Sequence, residues 1–106
     1  MLRVAASKDG LTGLLNRVTG EKAITQSLSN HEEAIYMIFD CDNFKTINDK
    51  LGHPTGDQVL IEVAKSLREV YEDQIVLRLG GDEFVVYITN STLIAQARQQ
   101  GMISIL

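Results

Sequence analysis

Two pairs of carboxylates interrupt the apolar runs of this chain. Asp40 and Asp42 follow the run "AIYMIF". Asp82 and Glu83 lie in "GGDE", between the apolar stretches "IVLRL" and "FVVYI". Clustered carboxylates repel one another unless a proton or a cation neutralises them. Hard oxygen ligands of this kind suit Mg²⁺, which keeps waters and binds substrate phosphates as well. If the strand ending at Asp40 neighbours the hairpin, the sequence predicts a metal and phosphate site at one edge of a sheet.

A simpler interpretation of the same residues stays open. Gly and Asp are common turn residues, so "GGDE" alone is equally well explained as a polar turn, and Asp40 as the end of a strand. A calcium-binding EF-hand is excluded, because Phe44, Lys45 and Leu51 occupy positions that need an oxygen ligand, a glycine and a glutamate. No glycine fingerprint of a dinucleotide or P-loop site is present. His31 and His53 lack a partner at zinc-ligand spacing.

Apolar spacing predicts the elements that carry these acids. Helical spacing covers residues 14–28, 44–51 and 56–71, with some doubt at Gly20 and with Asp57 placed to cap the third helix. Residues 34–40, 74–79 and 84–88 have the composition of strands, the last two joined as a hairpin whose glycines take positive φ. A short helix follows at residues 92–99. This order predicts an α+β fold, a central β-sheet wrapped by helices.

Composition limits the class of protein. The chain has 106 residues, of which 44% are hydrophobic, and this length suits one small domain. Its net charge of −4 argues against a nucleic-acid partner, which usually requires a basic face. A single cysteine, Cys41, fits a reducing cytosol, so we expect a cytoplasmic location. No apolar stretch reaches the length of a membrane span, so no membrane contact is expected from this segment, although a longer parent protein could be membrane-tethered.

Three separated motifs together resemble the GGDEF family of diguanylate cyclase domains. They are "DGLTGLLNR" (residues 9–17), "FDCDNFKTINDKLGHPTGDQVL" (39–60) and "RLGGDEF" (78–84). The resemblance implies a fold like the catalytic domain of nucleotidyl cyclases, with a βααββ core. It also implies that residues 1–8 end an upstream linker and that residues 9–106 are a GGDEF domain without its C-terminal part. The final "MISIL" is then either a later family strand or a tail.

The resemblance also implies a reaction and the residues that perform it. In the family, two GTP molecules condense to cyclic di-GMP and two pyrophosphates, with two domains facing each other as a transient homodimer. Two Mg²⁺ ions serve each active site, and Mn²⁺ is a possible substitute. Asp40 and Glu83 match the metal-binding carboxylates, and the Cys41 carbonyl is a possible further ligand. Asp82 matches the remaining signature acid near the attacking hydroxyl, so Asp82 and Glu83 are the expected catalytic residues.

Substrate contacts are carried over in the same way. Asn48 and Asp57 match the pair that recognises guanine, although the residues alone favour a helix cap for Asp57 and an exposed polar position for Asn48. Phe44 and Lys45 match the phosphate-loop region, with Phe44 also a candidate core residue. Gly80 and Gly81 let the backbone approach the nucleotide, because no Cβ intrudes.

One departure from the family pattern concerns regulation. Many members carry an Arg-x-x-Asp inhibitory site for the product, whereas Tyr71 and Gln74 occupy those two positions here. We therefore expect no inhibitory site. Two function classes remain: a GTP-condensing cyclase, and a truncated, catalytically inactive module that binds GTP or regulates a partner.

Overall fold

A computed structural model describes residues 7–31 and 33–101. Within them the chain forms four helices and three strands. The elements are α1 (Arg17–Leu28), β1 (Ile35–Asp40), α2 (Phe44–Leu51), α3 (His53–Val70), β2 (Ile75–Gly80), β3 (Glu83–Ile88) and α4 (Ser91–Gln99). Most of the predicted linker, residues 1–6, and the final "MISIL" lie outside the described residues, so neither interpretation is tested there. In the described ranges no helix is long and apolar enough to cross a bilayer.

The three strands form one antiparallel sheet with β3 in the middle, in the order β1-β3-β2. Helices cover both faces of β3, which explains why its residues form a continuous apolar run rather than an alternating one. Phe84, Val86 and Ile88 pack on the side of α3 and α4. Val85 and Tyr87 pack on the opposite side, against Leu77 of β2 and Ile24 of α1. The predicted α+β fold, a sheet wrapped by helices, is confirmed.

Helix α1 begins later than the sequence pattern predicts. Its first residue is Arg17, and the side chain of Asn16 caps it by accepting a hydrogen bond from the Thr19 N–H at 2.9 Å. Leu14 is buried, but it reaches the core from the preceding loop and not from a helix. The apolar spacing at the start of the predicted helix therefore reflected tertiary contacts of a loop.

The helix continues through Gly20, where the sequence left some doubt. A Cβ at Gly20 would lie 2.7 Å from the Leu77 Cβ and would also overlap the rest of that side chain. The glycine therefore allows α1 to pack directly on strand β2, and this close approach outweighs its low helix propensity.

Helix α3 begins earlier than predicted. Its first residue is His53, with Gly52 at φ +88° separating it from α2 and Pro54 in its first turn. Asp57 therefore lies inside the helix, so the interpretation of Asp57 as a helix cap is wrong. A proline near the start of a helix is favoured because the N–H it lacks has no intrahelical partner there. The Asp57 side chain is exposed, so it is accessible to a ligand.

The two outer edges of the sheet differ. The loop before α1 covers the edge of β2, where Leu15 bridges to Leu77 and the Leu15 carbonyl accepts a hydrogen bond from the Arg78 N–H at 3.0 Å. No strand among residues 7–31 and 33–101 pairs with the outer edge of β1. On that strand Tyr36 and Ile38 are 50% and 59% exposed.

Candidate functional site

The acids predicted to converge do meet at one end of the sheet. Asp40 and Glu83 are direct partners in the ladder between β1 and β3, so their side chains leave the same face. The Cys41 N–H donates a hydrogen bond to the Asp82 carbonyl at 3.2 Å, which fixes the end of β1 to the hairpin tip. The prediction of a carboxylate cluster at a sheet edge is therefore confirmed.

Electrostatics at this cluster are unfavourable in the absence of a cation. A hydrogen bond with Asp82 raises the pKa of Asp40, and the charges of Asp82, Glu83 and Asp42 raise it further. A shared proton relieves the repulsion between two such carboxylates, and a bound cation does the same. Burial raises the pKa of the Cys41 thiol, and the neighbouring aspartates add to the effect. The thiol therefore stays protonated, and the backbone carbonyl is the better ligand that Cys41 offers.

The donor chemistry of the cluster fits a hard cation. Within the described part of the chain, no group of three or more acids, histidines or cysteines is arranged so that it could hold a metal ion by itself. Asp40 and Asp82 are nevertheless close enough to hydrogen-bond, and Glu83 faces Asp40 across the ladder. An incomplete set of protein oxygens suits Mg²⁺, because this ion usually keeps waters and takes substrate phosphates as its remaining ligands.

The hairpin tip requires its two glycines. Gly80 and Gly81 have φ of +152° and +52°, backbone values that residues with a Cβ rarely adopt. The pairing register shifts between Arg78 and Gly80, and irregularities of this kind often re-aim side chains beside active sites. A Cβ at either glycine would meet nothing within 4 Å. The predicted positive φ is confirmed, and the backbone of the tip is open to an approaching group.

Arg78 is a component of the site that the sequence did not reveal. Its Nε and Nη2 donate to the Gly81 carbonyl at 3.0 and 2.7 Å, and its Nη1 donates to both Asp9 carboxylate oxygens at 3.2 Å. The Thr12 N–H and hydroxyl each donate to Asp9 at 2.8 Å. Burial alone would raise the pKa of Asp9, but the bonds from Thr12 and Arg78 lower it overall. In the sequence, the only indication of this ion pair was that two of the three motifs contain residues of opposite charge.

Asn48 lies where α2 meets α3. Its side chain packs against Gly56, and a Cβ at that glycine would overlap the amide oxygen. The amide oxygen of Asn48 is buried and has no hydrogen-bond partner within residues 7–31 and 33–101. Asn48 is thus half-buried, and its interpretation as an exposed polar residue is wrong. A buried acceptor without a partner is uncommon. Asp57 follows Gly56 directly in the sequence, so the two candidate base-binding residues, Asn48 and Asp57, lie at one helix junction.

The start of α2 lies close to the acids in the chain. Phe44 is the first residue of this helix and packs against the main core cluster, which confirms it as a core residue. Asn43, just before it, has φ +60°, and the Phe44 N–H donates to the Cys41 carbonyl at 3.3 Å. Lys45 is exposed in the first turn. A helix N-terminus and a lysine both favour anions, as expected for a phosphate-loop region.

An antiparallel sheet with helices on its faces, and with acids at a strand end and a hairpin tip, defines a nucleotidyl cyclase-like domain. The family model "Diguanylate cyclase, GGDEF domain" matches residues 6–106, and the chain belongs to this family. The GGDEF domain of DgcB from Caulobacter crescentus, crystallised with cyclic di-GMP, superimposes with a TM-score of 0.79. It is 32% identical, and the match covers 94% of this chain and 61% of that one.

The curated relatives include proteins named as diguanylate cyclases and proteins named as cyclic di-GMP phosphodiesterases. Diguanylate cyclase TpbB of Pseudomonas aeruginosa UCBPP-PA14 is 44% identical over an alignment of 88 residues, and the match covers 78% of this chain and 20% of TpbB. Cyclic di-GMP phosphodiesterase PdeB of Shewanella oneidensis is 38% identical over 98 residues, 92% of this chain and 11% of PdeB. The chain thus spans a fifth or less of these two proteins. Diguanylate cyclases of the family generally depend on a metal ion.

Proposed function

We propose that this domain condenses two GTP molecules into cyclic di-GMP and two pyrophosphates, in second-messenger signalling. The observation that carries the proposal is the convergence of Asp40, Asp82 and Glu83 at one end of the sheet. Membership of the GGDEF family and the similarity to TpbB support it. The intact signature acids favour the cyclase over a purely regulatory GTP-binding module.

In the proposed reaction, Asp40, Glu83 and the Cys41 carbonyl would hold two Mg²⁺ ions, or Mn²⁺ in their place. When bound, such ions neutralise charge on the transferring phosphate and lower the pKa of the attacking 3′-hydroxyl. Asp82, which lies beside Asp40, offers a carboxylate oxygen to the proton of that hydroxyl. Gly80 and Gly81 leave the tip open to the phosphates, and Lys45 at the start of α2 offsets their charge.

Guanine is recognised, in this proposal, at the junction of α2 and α3. The exposed Asp57 carboxylate accepts from the N1–H and the 2-amino group of the base. The buried amide oxygen of Asn48, which has no hydrogen-bond partner among the described residues, gains a donor when guanine binds. The structural support is the amide oxygen of Asn48 beside Gly56. A buried polar atom without a hydrogen bond is costly, and a bound base would remove that cost.

The proposed partner for catalysis is a second copy of the domain. One domain holds one GTP, and one GTP cannot supply both halves of a two-fold symmetric product. Turnover therefore passes through a pair of domains whose symmetry matches that of the product.

The proposal is tested by incubating the purified chain with GTP and Mg²⁺ and analysing the products for cyclic di-GMP by chromatography. Glu83→Gln should abolish turnover without loss of the fold, because Glu83 is exposed at the strand end. Glu62→Gln is the matched control, an exposed acid on α3 that should retain full activity. Full activity in Glu83→Gln would refute its assignment as a metal ligand. Binding of GTP without product at any enzyme concentration would favour the regulatory module instead.

A further inference from the structure

The hairpin tip that carries two of the acids has little support of its own. Its turn contains two adjacent glycines, the residues with the largest backbone freedom. Among the described residues, no side chain packs where a Cβ of Gly80 or Gly81 would lie. Beyond the ladders that join β3 to β1 and β2, two sets of hydrogen bonds hold the tip in the described part of the chain. One is the bond from the Cys41 N–H to the Asp82 carbonyl, and the other is the pair of bonds from Arg78 to the Gly81 carbonyl.

Arg78 also connects the tip to a distant part of the chain. The same guanidinium that holds Gly81 pairs with Asp9, which is 69 residues away in sequence. Asp9 is itself fixed by both hydrogen bonds from Thr12. Around it, the loop is closed by a bond from the Asn16 N–H to the Ser7 carbonyl at 3.0 Å. The N-terminal loop, residues 7–16, is therefore an ordered support for the Arg78 side chain.

The ion pair between Arg78 and Asp9 is partly buried, so it has a larger effect on the local structure than an exposed surface pair has. The side chains of Arg78 and Asp9 are 16% and 20% exposed, whereas those of the pair Arg17–Glu21 are 65% and 50% exposed. Exposed pairs contribute little because water screens them. The planar guanidinium of arginine can donate to the carbonyl and to the carboxylate at once, and a lysine ammonium has no equivalent fork.

We propose that Arg78 is a positioning residue for the reaction. By holding the Gly81 carbonyl it fixes Asp82 and Glu83 against Asp40, and through Asp9 it makes that position depend on the N-terminal loop. This inference rests on the proposed cyclase function for its kinetic consequence, but not for its structural one. A displacement of the loop reaches the acids through the Arg78 side chain, in addition to the backbone bond from the Arg78 N–H to the Leu15 carbonyl, so the loop is a point from which the site can be regulated.

The structural arm of the test is amide hydrogen exchange, which requires no activity. The Cys41 N–H reports the position of the tip, because its acceptor is the Asp82 carbonyl. Arg78→Gln should accelerate exchange at Cys41 by about tenfold or more relative to Val86 in the central strand, which corrects for global stability. Arg17→Gln, which removes the exposed ion pair, is the matched control and should leave the ratio unchanged.

The kinetic arm separates positioning from general stability. Loss of an outer contact to a metal-binding group typically lowers activity about 10–100-fold. Arg78→Gln should lower kcat by that factor while KM for GTP changes less than about threefold, because guanine binds at Asn48 and Asp57. Arg78→Lys should recover only part of kcat, since lysine keeps the charge but not the fork. Asp9→Asn should have a smaller effect, and the double variant should be no worse than Arg78→Gln alone.

The two arms distinguish failure of the inference from failure of the proposed function. If the wild-type chain makes no cyclic di-GMP, the cyclase proposal fails, and exchange at Cys41 still decides the role of Arg78. Unchanged exchange at Cys41 in Arg78→Gln overturns the inference, and so does wild-type kcat in that variant. If Arg78→Gln does not fold, Asp9→Asn replaces it. Faster exchange at Cys41 in Asp9→Asn then supports the inference, and an unchanged ratio overturns it.

Discussion

Gly56→Ala should weaken GTP binding without destabilising the fold. The added Cβ would overlap the amide oxygen of Asn48, the far end of a flexible side chain. Asn48 can rotate away, so folding loses little, and alanine inside a helix is favoured over glycine by up to about 1 kcal/mol. The free energy of unfolding should therefore change by less than about 1 kcal/mol. The amide that leaves its place can no longer pair with guanine.

The expected loss of affinity follows from one hydrogen bond. A hydrogen bond contributes about 0.5–1.5 kcal/mol, which corresponds to roughly two- to tenfold weaker binding of GTP. Calorimetry with a GTP analogue that resists cleavage between the α and β phosphates measures this change without turnover. Urea unfolding followed by circular dichroism measures the stability of the same sample.

Gly20→Ala is the matched control, since it makes the same change inside another helix. There the new Cβ meets Leu77, which is fully buried and cannot move aside. Overpacking of this kind costs about 1–3 kcal/mol, more than the gain in helix propensity. Gly20→Ala should therefore lower stability while its folded fraction binds GTP normally. Normal GTP affinity in Gly56→Ala, with or without lost stability, would refute the role assigned to Asn48.

Four further predictions concern specificity, regulation, assembly and pH. ATP should bind far more weakly than GTP, and Asp57→Ala should narrow that gap; equal wild-type affinities would contradict the base-recognition assignment. Calorimetry should detect no tight cyclic di-GMP binding near Tyr71, because Tyr71 and Gln74 lack the charged groups of the family's inhibitory site; a structure with product bound there would overturn this. Specific activity should rise with protein concentration, because we expect the chain to pair only weakly, whereas a flat profile would indicate a stable dimer or another mechanism. The pKa of Asp9 lies below its ordinary value of 3.8, so its contribution to stability is complete above that value and is lost as pH falls through the lowered pKa. Wild type and Asp9→Asn should therefore differ in stability at pH 6 and converge in strong acid, and parallel curves would contradict the shift.

Local patterns were sufficient to predict the centre of the fold and the acids of the site. The run of β3 is apolar on both faces because helices cover both, and the break in that run at "GGDE" marks the tip. Asp40 was placed correctly because a strand that ends in an acid delivers it to the sheet edge. These features depend on residues near one another in sequence, which is why composition and periodicity reveal them.

The missed features depend on contacts between distant residues. Leu14 resembles a helical core position, but its burial comes from a loop lying against the sheet. The environment of Asn48 depends on Gly56 in the next helix, and nothing in the local sequence indicates that its oxygen is buried. The link from Arg78 to Asp9 joins two motifs through the folded sheet, so it becomes visible only once the strands are assembled.

The outer edge of β1, which pairs with no strand in the part of the chain that the structure describes, has a consequence for how this chain behaves in concentrated solution. An edge strand whose N–H and C=O groups lack strand partners is a template on which another chain can add, and apolar side chains along it make addition more favourable. Tyr36 and Ile38 give β1 that character, and no charged residue or proline interrupts it before Asp40. Self-association through this edge would extend the sheet and lead to aggregation. It would be distinct from the face-to-face pairing proposed for catalysis, so an increase in particle size should not be taken as evidence of the proposed dimer.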